Sequence, residues 1–446
     1  MNQRNPTISK GIDWSIVWIY LLLVTIGLIA IFAATYKEGD PVVQSFIGFK
    51  TDYSKQFYFF VLSGVLGLFI ILTDSKFFAA TANLGYAFGI FAMLIVFPFH
   101  SSVKGTESII RIGAFNFQPA ELCKIFVALA LAKYLSRPET DFSKTRSQMI
   151  AAGIALLPAA LSILQSETGL ALVYFSFFIV MYREGLPSTI LVIGFAAAAL
   201  IVATILVEPD TLAVIITVIS LLTAYVLRKQ IKRQRGLLFS VILLWALCVG
   251  VQRFAVPYIF KNVLQRHQVE RIYDLFGKDN PYAAKGDTVS AEEKKKKKES
   301  GSSYNVRQSK IAIGSGRLTG KGILNATQTR YDFVPEQRTD FIFCTVGEGF
   351  GFTGSMILLA LYLLLLFRIV TIAERQRSAF SRVYAYGVAS VFFFHIIINI
   401  GMTIGLAPVI GIPLPLISYG GTSLLTFTIL LFVLIRLDAD RQMVLR

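Results

Sequence analysis

Apolar residues fall along this chain in long, nearly unbroken runs, not at the helical or alternating spacing of a half-buried element. The runs lie at about 14–35, 56–74, 77–99, 119–135, 149–164, 169–182, 188–207, 211–227, 237–257, 342–367, 384–405 and 418–436. A helix needs about 20 mostly apolar residues to cross the hydrocarbon core. Lipid offers the backbone no other hydrogen-bond partner, so each run is predicted to be helical. The pattern predicts an all-α polytopic membrane protein with about twelve transmembrane helices, built as one membrane domain over 1–446. The first run is too long for a signal peptide and lacks a small-residue cleavage site, so it is expected to stay as an anchor.

The short breaks between runs divide by charge. With Arg4 and Lys10 inside, the inner loops collect Lys76, Lys133, Arg137, Lys144, Arg146, Arg183, the basic stretch 228–235, Arg368, Arg375, Arg377, Arg382, Arg436, Arg441 and Arg446. The outer loops 164–168, 207–210 and 406–417 hold no Lys or Arg. Both termini are therefore expected in the cytoplasm and the long polar segment 258–341 outside. Within it, 286–303 (GDTVSAEEKKKKKESGSS) is low-complexity, charged and free of aromatics, as expected of a solvated, mobile insertion.

Composition removes several classes. Over 446 residues, 55% are hydrophobic and only 16% charged, and mean hydropathy is +0.64, which excludes a disordered chain and argues against a soluble enzyme. The 43 Lys and Arg against 27 Asp and Glu leave +16, but most of the excess sits where topology and anionic headgroups place it, so no nucleic acid is needed. Cys123, Cys248 and Cys344 show no paired spacing, and His100, His267 and His395 are scattered. Neither a disulfide framework nor a metal site is predicted.

Ionisable residues at membrane depth point to function unless paired. Glu121 and Lys124, three apart near the start of the fourth run, share a helix face, either as a structural ion pair or as the lining of a polar cavity. Pro119 suits the first turn of that helix. Glu167 sits in a tight outer turn. His395 and Asn399, four apart, are read first as partners in interhelical hydrogen bonds. The segment 405–421 (GLAPVIGIPLPLISYGG) is irregular backbone, tolerated at depth only inside protein or along a cavity. The densest polar stretch runs from Gln308 to Phe341. Its glycines at 314, 316, 320 and 322 invite a phosphate-loop reading, but Gly320-Lys321 lacks Gly at 315 and Ser or Thr at 322. Asp340 stands just before an apolar run, and spacing alone leaves helix capping and catalysis both open. Glu348 would lie near the same helix face.

At these residues the sequence resembles the SEDS family (shape, elongation, division, sporulation) of membrane peptidoglycan polymerases, its elongation branch ahead of its division branch. The carrying motifs are FQPAELCK at 117–124, QSKIAIGSG at 308–316, Gly320-Lys321-Gly322, PEQRTDFIF at 335–343 and GIPLPLISYGGTS at 411–423. They run in family order over about residues 10–440. The chain departs from the family pattern where Ile109 replaces a usual Trp, where Glu167 replaces a usual Asp, in its two extra predicted helices between about 188 and 227, and in its lysine-rich insertion.

The resemblance implies glycosyl transfer between lipid-linked sugars in the bacterial cytoplasmic (inner) membrane: the glycan on one undecaprenyl diphosphate is joined to lipid II. Such chemistry needs a base for the attacking hydroxyl, donors for the leaving diphosphate and a greasy groove for the prenyl tails. Asp340 matches the family's loop acid and is the expected base for an inverting transfer. Lys310, Arg338, Lys321, Arg111 and Arg271 are the expected diphosphate partners, with Gln308, Ser309, Glu336 and Thr339 also facing substrate. Glu121, Lys124, Gln118, Glu348 and Ser418 are expected to support the cavity. No cofactor is evident; a divalent cation (Mg or Mn) could share the diphosphate's charge. The implied partners are lipid II, the lipid-linked glycan, membrane lipids and a class B penicillin-binding protein. The competing readings are a lipid II flippase and a scaffold for wall-synthesis proteins.

Overall fold

The computed structural model describes residues 11–36, 41–99, 101–103, 106–112, 115–264, 269, 273 and 302–442. All twelve apolar runs are helical. Among the described residues ten helices are long and apolar enough to cross a membrane: Trp14–Thr35 (α1), Asp52–Leu72 (α3), Ser75–Phe99 (α4), Thr145–Leu164 (α6), Ser188–Leu206 (α9), Pro209–Val226 (α10), Gly236–Asn262 (α12), Ile342–Arg375 (α15), Ala379–Ile404 (α16) and Gly421–Ala439 (α17). The other two runs are Pro119–Leu135 (α5), 17 residues long, and a helix broken into Thr168–Tyr174 (α7) and Phe177–Arg183 (α8). Shorter helices are Val42–Ile47 (α2), Arg228–Arg233 (α11), Ser302–Ser315 (α13) and Thr327–Arg330 (α14).

The chain forms two compact units, Met1–Leu186 with Tyr304–Arg446, and Pro187–Ser303. In the second, α9, α10 and α12 leave most of their apolar side chains uncovered, as helices facing lipid can. Polar contacts join α10 to α12: Trp245 Nε1 donates to Thr217 Oγ1 (3.0 Å), and Arg253 pairs with Asp210 at 2.9 Å.

The first unit is packed around α17, 89% of whose membrane-length window is buried, and α16, at 67%. Neighbouring helices meet α17 through side chains such as Tyr20, whose hydroxyl bonds Thr428 at 3.1 Å and whose ring meets Phe432 edge-on at 5.3 Å. The segment 101–117 forms a small antiparallel sheet, Ser101–Val103 (β1), Thr106–Ile112 (β2) and Phe115–Phe117 (β3), with Arg111 opposite Asn116. Hydropathy does not predict this sheet.

At one end of this unit, ion pairs tie three helices together. Asp13 caps α1 and accepts from Arg368 (2.6 Å) and Arg375 (2.9 Å) of α15. Arg375 also bonds Asp438 of α17, which accepts further from Arg441 and Gln376. Burial alone would raise the Asp13 pKa, but Arg368 and then Arg375 outweigh it and hold the carboxyl below its usual range.

At the other end, α15 is broken. Gly351 takes φ 66°, and the exposed backbone groups are met by the loop after α13: Lys321 and Gly322 amides donate to the Glu348 and Gly349 carbonyls, and Phe352 and Thr353 amides to the Arg317 and Leu318 carbonyls. A Cβ at Gly316 or Gly320 would collide with the carbonyls of Gly347 or Gly349. Those glycines are needed for this close approach.

Candidate functional site

Asp340 lies where three chain segments meet. The loop 336–340 ends at Phe341, the N-cap of α15, and no side chain caps that helix, so Asp340 is not serving as its cap. Asp340 is half-buried. A Cβ placed on Gly411 (φ 75°) would stand 3.3 Å from Asp340 Oδ2, so the carboxylate rests against a bare backbone in the segment 405–420.

That segment is fastened to the loop along its length. Ser418 Oγ donates to the Thr339 carbonyl (2.5 Å) and accepts from the Leu414 amide (2.8 Å); the Tyr419 amide donates to the Arg338 carbonyl (2.9 Å). Asn399 of α16 donates to the carbonyls of Asp340 (2.8 Å) and Ile412 (2.6 Å). From α3, Gln56 accepts from the Gly420 amide (3.1 Å) and donates to the Ser418 carbonyl (3.4 Å). From Ile412 to Ser418 most of the irregular backbone expected at membrane depth is buried in protein, and these bonds meet part of its polar groups.

Beside Asp340 opens a cleft of about 420 Å³, lined by Asp52, Asp332, Val334, Pro335, Glu336, Gln337, Arg338, Thr339 and Tyr419. Asp340 follows this lining in sequence but is not on its wall. Arg338 pairs with Asp52 at 2.6 Å, and Tyr419 lines the cleft with them. Three carboxylates against one guanidinium make the cleft acidic. Asp52 was not singled out by sequence; its only trace is the polar pair Asp52 and Gln56 opening an apolar run. An apolar groove of about 450 Å³ starts at the next residue, lined by Leu28, Ile29, Phe32, Phe46, Tyr53, Phe57, Ile323 and Leu324.

The other expected residues separate into groups. Glu336 and Thr339 line the cleft, where the Thr339 hydroxyl donates to Glu336 Oε2 (3.1 Å). Lys310 is exposed on α13 and lies against Gly405, the left-handed residue ending α16, where a cation suits the helix dipole. Beside it, Ser309 is buried and donates to the Thr403 carbonyl (2.9 Å), and Gln308 is half-buried. Arg111 is exposed on β2. Arg271 and nearly all of the insertion 286–303 lie outside the described residues.

Lys321 reaches Glu348 at 2.8 Å. Glu348 is fully buried and also accepts from the amides of Gln328 and Thr329 (both 2.9 Å) and from the Thr329 hydroxyl (3.0 Å). It locks the loop 315–329 onto α15 and does not line the cleft. Gln118 donates to Ser108 and Glu167 (both 3.2 Å), and Ser108 to Glu167 (2.6 Å), a cluster that fixes the sheet to the helix ends beneath it. Glu121 and Lys124 form a buried pair at 2.6 Å, and Lys124 also meets His395 Nε2 at 2.9 Å. Among the described residues no three His, Cys, Asp or Glu side chains are placed to hold a metal ion.

Comparison with known proteins gives one family, the cell cycle protein family FTSW_RODA_SPOVE, whose model matches residues 13–233 and 187–443. The peptidoglycan glycosyltransferase RodA of Treponema pallidum is 29% identical, covering 96% of this chain and 97% of that one. The peptidoglycan glycosyltransferase MrdB of Escherichia coli is 30% identical over 80% of this chain and 78% of its own. Among solved structures, a chain of a peptidoglycan synthase complex that coordinates polymerization and crosslinking shares the fold, with TM-score 0.65, 22% identity, and 97% and 99% of the two chains covered.

Proposed function

The chain belongs to the FTSW_RODA_SPOVE family, and from that membership we propose that it is a peptidoglycan glycosyltransferase that polymerises lipid II during cell elongation. The observation that carries the reading is Asp340, seated on Gly411 and next in sequence to Thr339 on the wall of an acidic cleft, whose Asp52 is followed by Tyr53 of an apolar groove.

The chemistry follows from the parts. Asp340 takes the proton from the attacking sugar hydroxyl as the new glycosidic bond forms and the bond to the diphosphate breaks. One base and one displacement on an α-linked lipid sugar invert it to a β bond. The cleft's carboxylates accept hydrogen bonds from hydroxyls, so Asp52, Glu336 and Asp332 suit the saccharide better than the diphosphate. Arg338, already joined to Asp52, orients that wall. The leaving diphosphate is assigned to exposed cations, Lys310 first and Arg111 second; Lys321 is committed to Glu348. The groove walled by Phe32, Phe46 and Phe57 takes the first units of a prenyl tail, whose anchor stays in the bilayer.

The inside-positive pattern supports an inner-membrane protein with both termini cytoplasmic and the Asp340 end outside. A class B penicillin-binding protein is the proposed crosslinking partner. A solved chain of the same fold, taken from a peptidoglycan synthase complex that coordinates polymerization and crosslinking, supports that pairing.

The test separates polymerase from flippase. Purified protein in liposomes, given lipid II and a transpeptidase-dead partner, is expected to make glycan strands. Transbilayer movement of fluorescent lipid II without strand formation would contradict the proposal.

A further inference from the structure

We infer that Asn399 is a positioning residue for Asp340, acting on the backbone beneath the carboxylate and touching no substrate. The inference rests on the reading of Asp340 as the base.

Asn399 is fully buried, and the two hydrogens of its side-chain amide are divided between the carbonyls of Asp340 (2.8 Å) and Ile412 (2.6 Å). Neither carbonyl belongs to a regular element, since Asp340 precedes α15 and Ile412 lies in irregular backbone. Buried carbonyls need partners, and one planar amide supplying both holds them at a set separation. Ile412 follows Gly411, the residue on which the Asp340 carboxylate rests. The amide that spaces the two carbonyls therefore also sets where the carboxylate stands over the Gly411 backbone.

Asn399 is itself held in place. One turn earlier on α16, fully buried His395 places Nδ1 at 3.1 Å from the Pro413 carbonyl and Nε2 at 2.9 Å from Lys124 Nζ. The lysine ammonium has only donors, so Nε2 accepts and Nδ1–H donates to Pro413, which settles the tautomer. His395 and Asn399 thus latch the successive carbonyls 413 and 412 from one helix face. Lys124, held by Glu121 at 2.6 Å, indexes that face against α5. The buried ion pair thereby reaches the base through two hydrogen bonds, Lys124 to His395 and His395 to Pro413, and the backbone of one segment, without contacting the carboxylate.

The experiment measures steady-state polymerisation of lipid II by the full chain in liposomes, comparing wild type, Asn399→Leu, Asn399→Gln and Asp340→Asn. Asn399→Leu keeps the volume but no donor; its kcat is expected to fall about 100-fold, the cost of misplacing a catalytic group by about 1 Å. Its KM should stay within about threefold, because substrate contacts are untouched. Asn399→Gln, which keeps both donors, is expected to recover part of the lost kcat. If Asn399→Leu does not insert, Asn399→Ser, which leaves one hydroxyl donor, is read by the same kcat and KM split. A kcat within about twofold of wild type for the donor-free variant, a loss confined to KM, or equal losses for Leu and Gln would overturn the inference. Asp340→Asn separates the two claims. Wild-type turnover by that variant would remove the base itself, whereas an inactive Asp340→Asn beside a fully active Asn399→Leu would remove only the positioning role.

Discussion

The two ends of the bundle formed by α1, α15 and α17 are both rich in polar side chains and use them in opposite ways. At the Asp13 end, Asp13, Arg368, Arg375, Asp438 and Arg441 pair with one another across three helices. At the Asp340 end, hydrogen bonds go mainly to backbone, which fastens 336–340 to 405–420 and leaves carboxylates and one arginine around a cleft of about 420 Å³. A network that pairs charge directly with charge holds helices together. One that spends its donors on the backbone fixes the walls of a cleft without filling it. The difference between a clasp and a site lies in where the hydrogen bonds go.

The sharpest way to break the comparison is at Glu348, a clasp standing at the same end as the site. Glu348→Ala strands the buried Thr329 amide and hydroxyl, the half-buried Gln328 amide and the Lys321 ammonium, and is expected to cost about 3 kcal/mol or more, read as loss of folded protein on detergent extraction. Lys321→Met should cost only about 1 kcal/mol, because the amide donors remain. Loss of turnover in Lys321→Met with an unchanged melting temperature would instead return Lys321 to the diphosphate.

Next comes Gly411→Ala. It adds a methyl 3.3 Å from Asp340 Oδ2 at φ 75°, so turnover should fall roughly 10- to 100-fold with substrate capture retained. Unchanged turnover would detach the carboxylate from that segment.

Asp13→Asn probes the closed end and should leave kcat alone. Because the folded pKa lies below the unfolded one, the carboxylate's stabilisation is present above the unfolded pKa of about 3.9 and is lost as pH falls through the folded value. The variant should therefore melt lower at neutral pH, by about 1–2 kcal/mol. Wild type and variant should converge in acid, and thermal unfolding from pH 7 to 3 checks the sign.

The smallest effect is expected from deleting 286–303, whose charged, aromatic-free composition offers nothing to a packed core; turnover should stay within about twofold.

Much of the fold was legible because a membrane helix announces itself by a contiguous apolar run, as α1 and α16 do. The sheet at 101–117 and helix α13 were not, since neither carries an apolar run and both depend on packing against other segments. The site motifs could be read, yet the geometry that joins them could not. Asp52 looks like an ordinary first-turn acid until Arg338, 286 residues away, is placed beside it. The glycines at 316 and 320 suggested a phosphate loop because close backbone approach to a phosphate and to a broken helix demand the same residue. Asn399 was read as an interhelical donor, and its acceptors turned out to be the carbonyls that seat the base.

The most direct test of the central claim is glycan synthesis from lipid II by wild type and Asp340→Asn, matched for membrane insertion and for lipid II capture. A carboxylate base predicts that strands disappear in the variant while capture persists. Strands made at the wild-type rate by Asp340→Asn would contradict it.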